Sequence, residues 1–207
     1  MAPKNKFTRD EMVAAAVQVV RKKGMDALTA KALAEELGTS TQPIFTCFGA
    51  MDAVKDAVHS AATLLHDEYI AKGLKEKIPF LGVGMQFVRF AREEPQLYRL
   101  LFLTQAAEGE GGALETMRRE QAMVTPFIEK LYHISKKEAE QYFYDLWLMS
   151  HSIATLIVTG GYLYSDEEIG EILTSISLSV CKAIKEVPGF VDGTFDRDAV
   201  FQKLIGE

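Results

Sequence analysis

GTSTQPIFTCF, Gly38 to Phe48, is polar at its start, aromatic at its end and carries no charge, with a proline at position 43. It sits between two runs with helical periodicity, and whether it is a helix decides the fold. The first four N–H groups of a helix have no intrahelical acceptor, so a proline within the first turn costs no hydrogen bond. With Thr39 or Ser40 as the cap, Pro43 falls inside that turn. The stretch therefore reads as a turn followed by a short third helix.

Upstream, Thr8 and Glu11 have the spacing of a capping box opening "RDEMVAAAVQVVRKK". Val13, Ala16, Val17 and Val20 share one face of this helix, and Gly24 stops it after three basic residues. Thr29 precedes "AKALAEELG", whose Ala30, Leu33, Ala34 and Leu37 form a second apolar stripe. Two short helices joined by a glycine-containing turn and backed by a third are the outline of a helix-turn-helix, whose second helix enters the DNA major groove.

Ala14–Val54, "AAAVQVVRKKGMDALTAKALAEELGTSTQPIFTCFGAMDAV", resembles the N-terminal domain of the TetR family of transcriptional regulators. The resemblance rests on the Ala-rich first helix, the Lys-Gly turn, the Thr before the second helix, the "LA.ELG.S" run and the "IF..F" ending. "FVRFAREEPQLYRLLFL" is similar to a segment in the ligand-binding domains of many such regulators. The resemblance implies a homodimer paired through the last two long helices, a palindromic double-stranded operator and a small-molecule effector. It also implies that Thr29 and Phe45 touch the DNA backbone. Many members have tyrosine and lysine where this chain has Phe45 and Met51, two missing phosphate anchors.

Residue chemistry divides the DNA-binding work. Thr39, Ser40, Thr41 and Gln42 place short donors at the start of the third helix, where the N–H groups and dipole favour phosphate. Gln42 can pair with adenine, and Thr41 and Thr46 can meet thymine. Lys4, Lys6, Arg9 and Lys31 supply the phosphate grip. Ile44 and Phe48 are expected to pack inward against Leu33, Leu37 and Val17.

The charge distribution agrees. The chain of 207 residues has a net charge of -6, yet Met1 to Phe48 carries seven Lys and Arg against five Asp and Glu. A sign difference between the ends fits a nucleic-acid-binding end and a second part with another task. We expect a DNA-binding domain over 1–50 and a ligand-binding and dimerisation domain over 51–207.

The remainder reads as helix throughout, giving an all-α class: a long helix to Gly73, a segment ending at Pro95, a short helix after it, a loop at "TQAAEGEGG", a helix broken or kinked near Pro126, and two long helices ending at Gly160 and Pro188. The first of these two opens with a Ser135 and Glu138 capping box. Both are more apolar than one core face requires. Phe143, Trp147 and His151, four apart on one helix side, combine aromatic surface with a polar group. With Met85, Phe87, Met117 and Met123 they are the candidate effector pocket, although residues of this kind at helical spacing are more often core or dimer contacts.

No uncharged apolar run reaches membrane-spanning length, and the N-terminus has no secretory pattern, so a cytoplasmic protein is expected. Cys47 and Cys181 form no metal or disulfide motif. "EGEGG" lacks a following Lys-Ser/Thr for phosphate, and no Glu-x-x-His pair is present. These readings imply no cofactor, no metal and no catalysis. Two rivals are a dimeric small-molecule binder that has lost DNA binding and a helical enzyme using His151 and Asp145.

Overall fold

The computed structural model describes residues 7–104 and 112–206. Lys4, Lys6 and most of the expected loop lie outside the described residues. Among those described there are ten α-helices and no strand: α1 Arg9–Lys23, α2 Ala30–Leu37, α3 Gln42–Phe48, α4 Met51–Gly73, α5 Pro79–Glu93, α6 Pro95–Tyr98, α7 Ala113–Tyr132, α8 Lys136–Val158, α9 Asp166–Glu186 and α10 Arg197–Ile205. A 3-10 turn, Met25–Ala27, follows α1, and a π turn, Arg99–Leu103, follows α6.

The helix starts are set by side chains. Thr8 and Glu11 cap each other's backbone N–H groups, with the Thr8 N–H 2.7 Å from Glu11 Oε2. Ser135 with Glu138 repeats the device on α8, and Ser165 with Glu168 on α9. At α2, Thr29 Oγ1 accepts from the Ala32 N–H at 3.1 Å.

Two compact units form. The first joins Met1–Ile70 with Arg89–Thr116, and the second joins Ala71–Val88 with Met117–Glu207. The expected division after Ala50 falls within the first unit, because α4 and the segment around α6 belong with the head. There α1 packs on α2 and on α6. Met12, Ala16, Val20, Leu33, Ile44, Leu97 and Leu101 are fully buried. His66 is buried edge-on to Phe90 and Phe102, at ring distances of 4.9 and 5.2 Å.

In the second unit α8 packs on α9, and Phe87, Val124, Ile128, Tyr142, Trp147, Ile153, Ile169 and Leu173 form the core. Gly84 allows a close approach: a Cβ there would lie 2.7 Å from Leu173 Cδ1 and 3.2 Å from Ser150 Oγ. α7 runs through Pro126 without the break that was one of the two expectations there. Pro126 is exposed, so the carbonyl that loses its proline-side donor lies on a solvated side of the helix.

Candidate DNA-reading face and buried cavity

The turn between α2 and α3 is built around Gly38, in the left-handed region at φ 63° and ψ 41°. Its N–H bonds to the Glu35 carbonyl at 3.2 Å, and the Thr39 N–H reaches back to the Ala34 carbonyl at 2.9 Å. This paired closure consumes the end of α2 and draws Thr39 into its cap. The cap of α3 is consequently Thr41, not Thr39 or Ser40, and its side chain makes no capping bond. Pro43 lies in the first turn as expected.

The start of α3 offers fewer amides than its position suggests. Pro43 has no N–H, and the Ile44 N–H bonds to the Thr41 carbonyl at 3.1 Å. Side chains are therefore the main free donors at this end of α3.

Gln42, Phe45 and Thr46 are exposed and, at i, i+3 and i+4, share one face of α3. Phe45 is 42% exposed, whereas Ile44 is fully buried and anchors the opposite side. Phe48 is only half-buried, and the Arg9 guanidinium lies 4.9 Å from the centre of its ring. Thr46 donates its hydroxyl to the Gln42 carbonyl at 2.9 Å. Thr29, Lys31 and Ser40 are exposed, and Thr39 and Thr41 half-buried. While Thr29 Oγ1 accepts the capping bond, its own hydrogen stays available to donate.

Ion pairs hold this head together. Lys22 on α1 bonds Glu36 on α2 at 2.7 Å. Arg21 grips Glu94, just before α6, with two hydrogen bonds of 2.7 and 2.6 Å. That grip raises the Arg21 guanidinium above its ordinary value. Tyr69 donates to Glu93 at 2.5 Å; burial first and this bond second push its phenol up to about 12.

The second unit holds a cavity of about 30 Å³. Among the described residues it is lined from α5 by Phe80, Val83, Gly84 and Phe87, from α7 by Glu120, Val124 and Ile128, from α8 by Tyr142, Phe143, Leu146, Trp147 and Ser150, and from α9 by Leu173. Phe87, Phe143 and Trp147 of the expected set meet here. His151 stands behind Trp147, stacked at 4.9 Å and 8°. Burial lowers its imidazole below the ordinary value. Met117 is buried and Met123 half-buried, away from the lining, and Met85 lines a shallow surface hollow with Ile78 and Gln86.

Sequence reasoning missed Glu120, which is 1% exposed. Set in "MRREQ", it looks like one more solvated charge. It also missed Tyr142, whose hydroxyl meets those of Tyr132 and Ser177 and whose burial pushes its phenol up. The Trp147 indole N–H is buried with no hydrogen-bond partner among the described residues. Those residues also hold no cluster of His, Cys, Asp and Glu able to bind a metal, and no helix long and apolar enough to cross a membrane.

The fold and the face of α3 define a helix-turn-helix regulator with a separate helical bundle. Two family profiles agree: "Bacterial regulatory proteins, tetR family" matches residues 12–58, and "Tetracyclin repressor-like, C-terminal domain" matches residues 80–176. The chain belongs to the TetR family and is a transcriptional regulator with a DNA-binding N-terminal region.

Solved structures share the fold. A TetR-family transcriptional regulator from Streptomyces coelicolor aligns with TM-score 0.69 at 14% identity, covering 96% of each chain. A TetR-like transcriptional regulator from Rhodococcus sp. RHA1 gives 0.58 at 18%, covering 84% of this chain and 97% of that one. A single-substitution variant of TetR from Acinetobacter baumannii AYE, in complex with minocycline, gives 0.51 at 18%, covering 96% and 98%. No curated protein matches significantly.

Proposed function

We propose that the protein is a homodimeric repressor that reads a palindromic operator with α3 and releases it when a small apolar or amphipathic molecule enters the α5/α7/α8/α9 cavity. The observation that carries the reading is the split surface of α3, with Gln42, Phe45 and Thr46 outward and Ile44 fully buried. Gln42 supplies the bidentate amide for adenine. Thr41 and Thr46 are the thymine contacts. Thr29, Ser40, Thr39 and Lys31 hold phosphates, with Arg9 beside the end of the helix.

Exposed Tyr144, Leu148 and Leu156 on α8 and Leu178 on α9 support pairing through these helices. Two-fold pairing would set the two α3 helices about one DNA turn, roughly 34 Å, apart.

A volume of about 30 Å³ holds little more than a water or two. An effector must therefore push the walls apart. Phe80, Val83 and Phe87 are among those walls, and α5, one uninterrupted helix, continues from them to Glu93, next to the Glu94 that Arg21 holds. Coupling of about 1 to 3 kcal/mol would change operator affinity roughly 5- to 150-fold.

The rival reading, a dimeric ligand binder without DNA binding, draws on Phe45, which has no hydroxyl for phosphate, and on Met51. A fluorescence-anisotropy titration with the DNA upstream of the protein's own gene separates the two. Salt-dependent binding that Gln42→Ala weakens supports the repressor, and equal affinity for that DNA and a scrambled duplex refutes it.

A further inference from the structure

We infer that α3 selects thymine by its 5-methyl group, and that the methyl group of Thr46 is the part of the protein that meets it. The inference rests on the reading of α3 as the base-contacting helix, and it names the chemical feature of the operator that this helix selects.

The Thr46 hydroxyl is already committed. It donates to the Gln42 carbonyl at 2.9 Å, one turn back along the same helix. A hydroxyl has one hydrogen to give. Guanine N7 and O6 and thymine O4 are all acceptors, so reaching any of them from Thr46 would break a bond the helix has already made. What Thr46 keeps for the groove is its methyl group and the lone pairs of its oxygen.

The neighbours on this face agree. Phe45 presents an exposed apolar ring, and the Gln42 carboxamide is the other polar side-chain group there. α3 contains no Lys or Arg, so the bidentate donors that ordinarily select guanine are missing from it. In the major groove thymine alone presents a methyl group, and a threonine methyl or a phenylalanine ring is a matching surface. Burying one methyl group is worth roughly a fourfold change in affinity, and about 15-fold when two symmetric half-sites each contribute one.

The DNA can be altered in place of the protein. Duplexes are selected from a randomised library on the unaltered full chain, and the tightest is remade with deoxyuridine for each half-site thymine in turn. Uracil keeps the pairing and groove hydrogen-bonding groups of thymine and lacks only the methyl. Fluorescence anisotropy should show a position in each half-site where uracil weakens binding about fourfold, and about 15-fold when both copies are changed. The slope of affinity against salt should stay the same, because no phosphate contact is touched. Thr46→Ser, which keeps the hydroxyl and loses the methyl, should bind thymine and uracil duplexes alike. Thr46→Val, which keeps a methyl and loses the hydroxyl, should retain the thymine preference.

Equal affinity of the unaltered protein for thymine and uracil at every position overturns the inference, as do selected half-sites without thymine. So does a uracil penalty that persists in folded Thr46→Ser or disappears in folded Thr46→Val. Because the first comparison changes only the DNA, failure of a variant to fold cannot shelter the idea. Selected duplexes with no dependence on the methyl would leave α3 as a reading helix and remove only the feature assigned to it. A library from which no sequence is enriched would count against both.

Discussion

Breaking the Arg21 and Glu94 pair should loosen α1 from the segment that leads into α6. Its two bonds of 2.7 and 2.6 Å are charge-assisted and run in parallel, the geometry that a guanidinium offers and an ammonium cannot. The Glu94 side chain is 13% exposed and that of Arg21 32%, so the pair lies between two limits. A surface pair is worth about 0 to 1 kcal/mol, and removing one member of a buried pair costs about 3 to 5. Arg21→Ala should therefore cost about 2 kcal/mol, with Glu94 left largely desolvated. For a chain of this length that is about 4 to 8 °C in melting temperature. Arg21→Lys should recover less than half. Urea unfolding of the wild type, Arg21→Ala, Glu94→Gln and the double variant forms a cycle whose coupling energy should be about 1 to 1.5 kcal/mol at unchanged m-value. Coupling below about 0.5 kcal/mol would show the pair to be a surface contact and refute the reasoning.

Gly38→Ala should lower stability by about 1 to 2 kcal/mol. The cost is conformational, since a Cβ at Gly38 meets nothing within 4 Å, and Gly38→Asn should cost less; thermal melts of the two variants check it. His151 starts below the ordinary 6.5 because burial penalises its cation. Its folded value is depressed, so the stability it contributes is present above pH 6.5 and is lost as pH falls through the lower folded value. Quenching of the stacked Trp147 emission by the protonated ring should accordingly have a midpoint below 6.5 and vanish in His151→Gln. Glu11 and Glu168 are held below 4.5 by bonds from the Thr8 and Ser165 backbones. Their caps should persist above pH 4.5 and be lost below it, as measured by amide exchange at Thr8 and Ser165, whose N–H groups the caps hold; the pH dependence at each site should flatten in Glu11→Gln and Glu168→Gln.

Much of the fold was legible because helix starts and stops leave side-chain signals. Thr8 with Glu11, Ser135 with Glu138 and Gly38 each mark an end by chemistry acting over three or four residues. The same logic was available at Ser165 with Glu168 and at Asp196, which caps α10 through the Ala199 N–H, and it went unread there. The cap of α3 moved to Thr41 because Thr39 was claimed by the closure of α2, a competition between neighbouring helices that position alone does not resolve. The cavity was half legible. Aromatic spacing marked Phe143 and Trp147, but Glu120 is inward only because of how α7 packs. Burial of one charge within a charged run is a tertiary fact.

The absence of Lys and Arg from α3 has a consequence for how operators would be ranked. Ionic attraction would come from residues elsewhere on the head, and base discrimination from the uncharged Gln42 and Thr46. Raising salt should then weaken binding to every sequence by a similar factor, because ions compete at phosphates and not at base edges. Strength and preference would then be separate dials: the cell's ionic state would set how much of the regulator is on DNA, and the order in which it prefers its sites would stay the same.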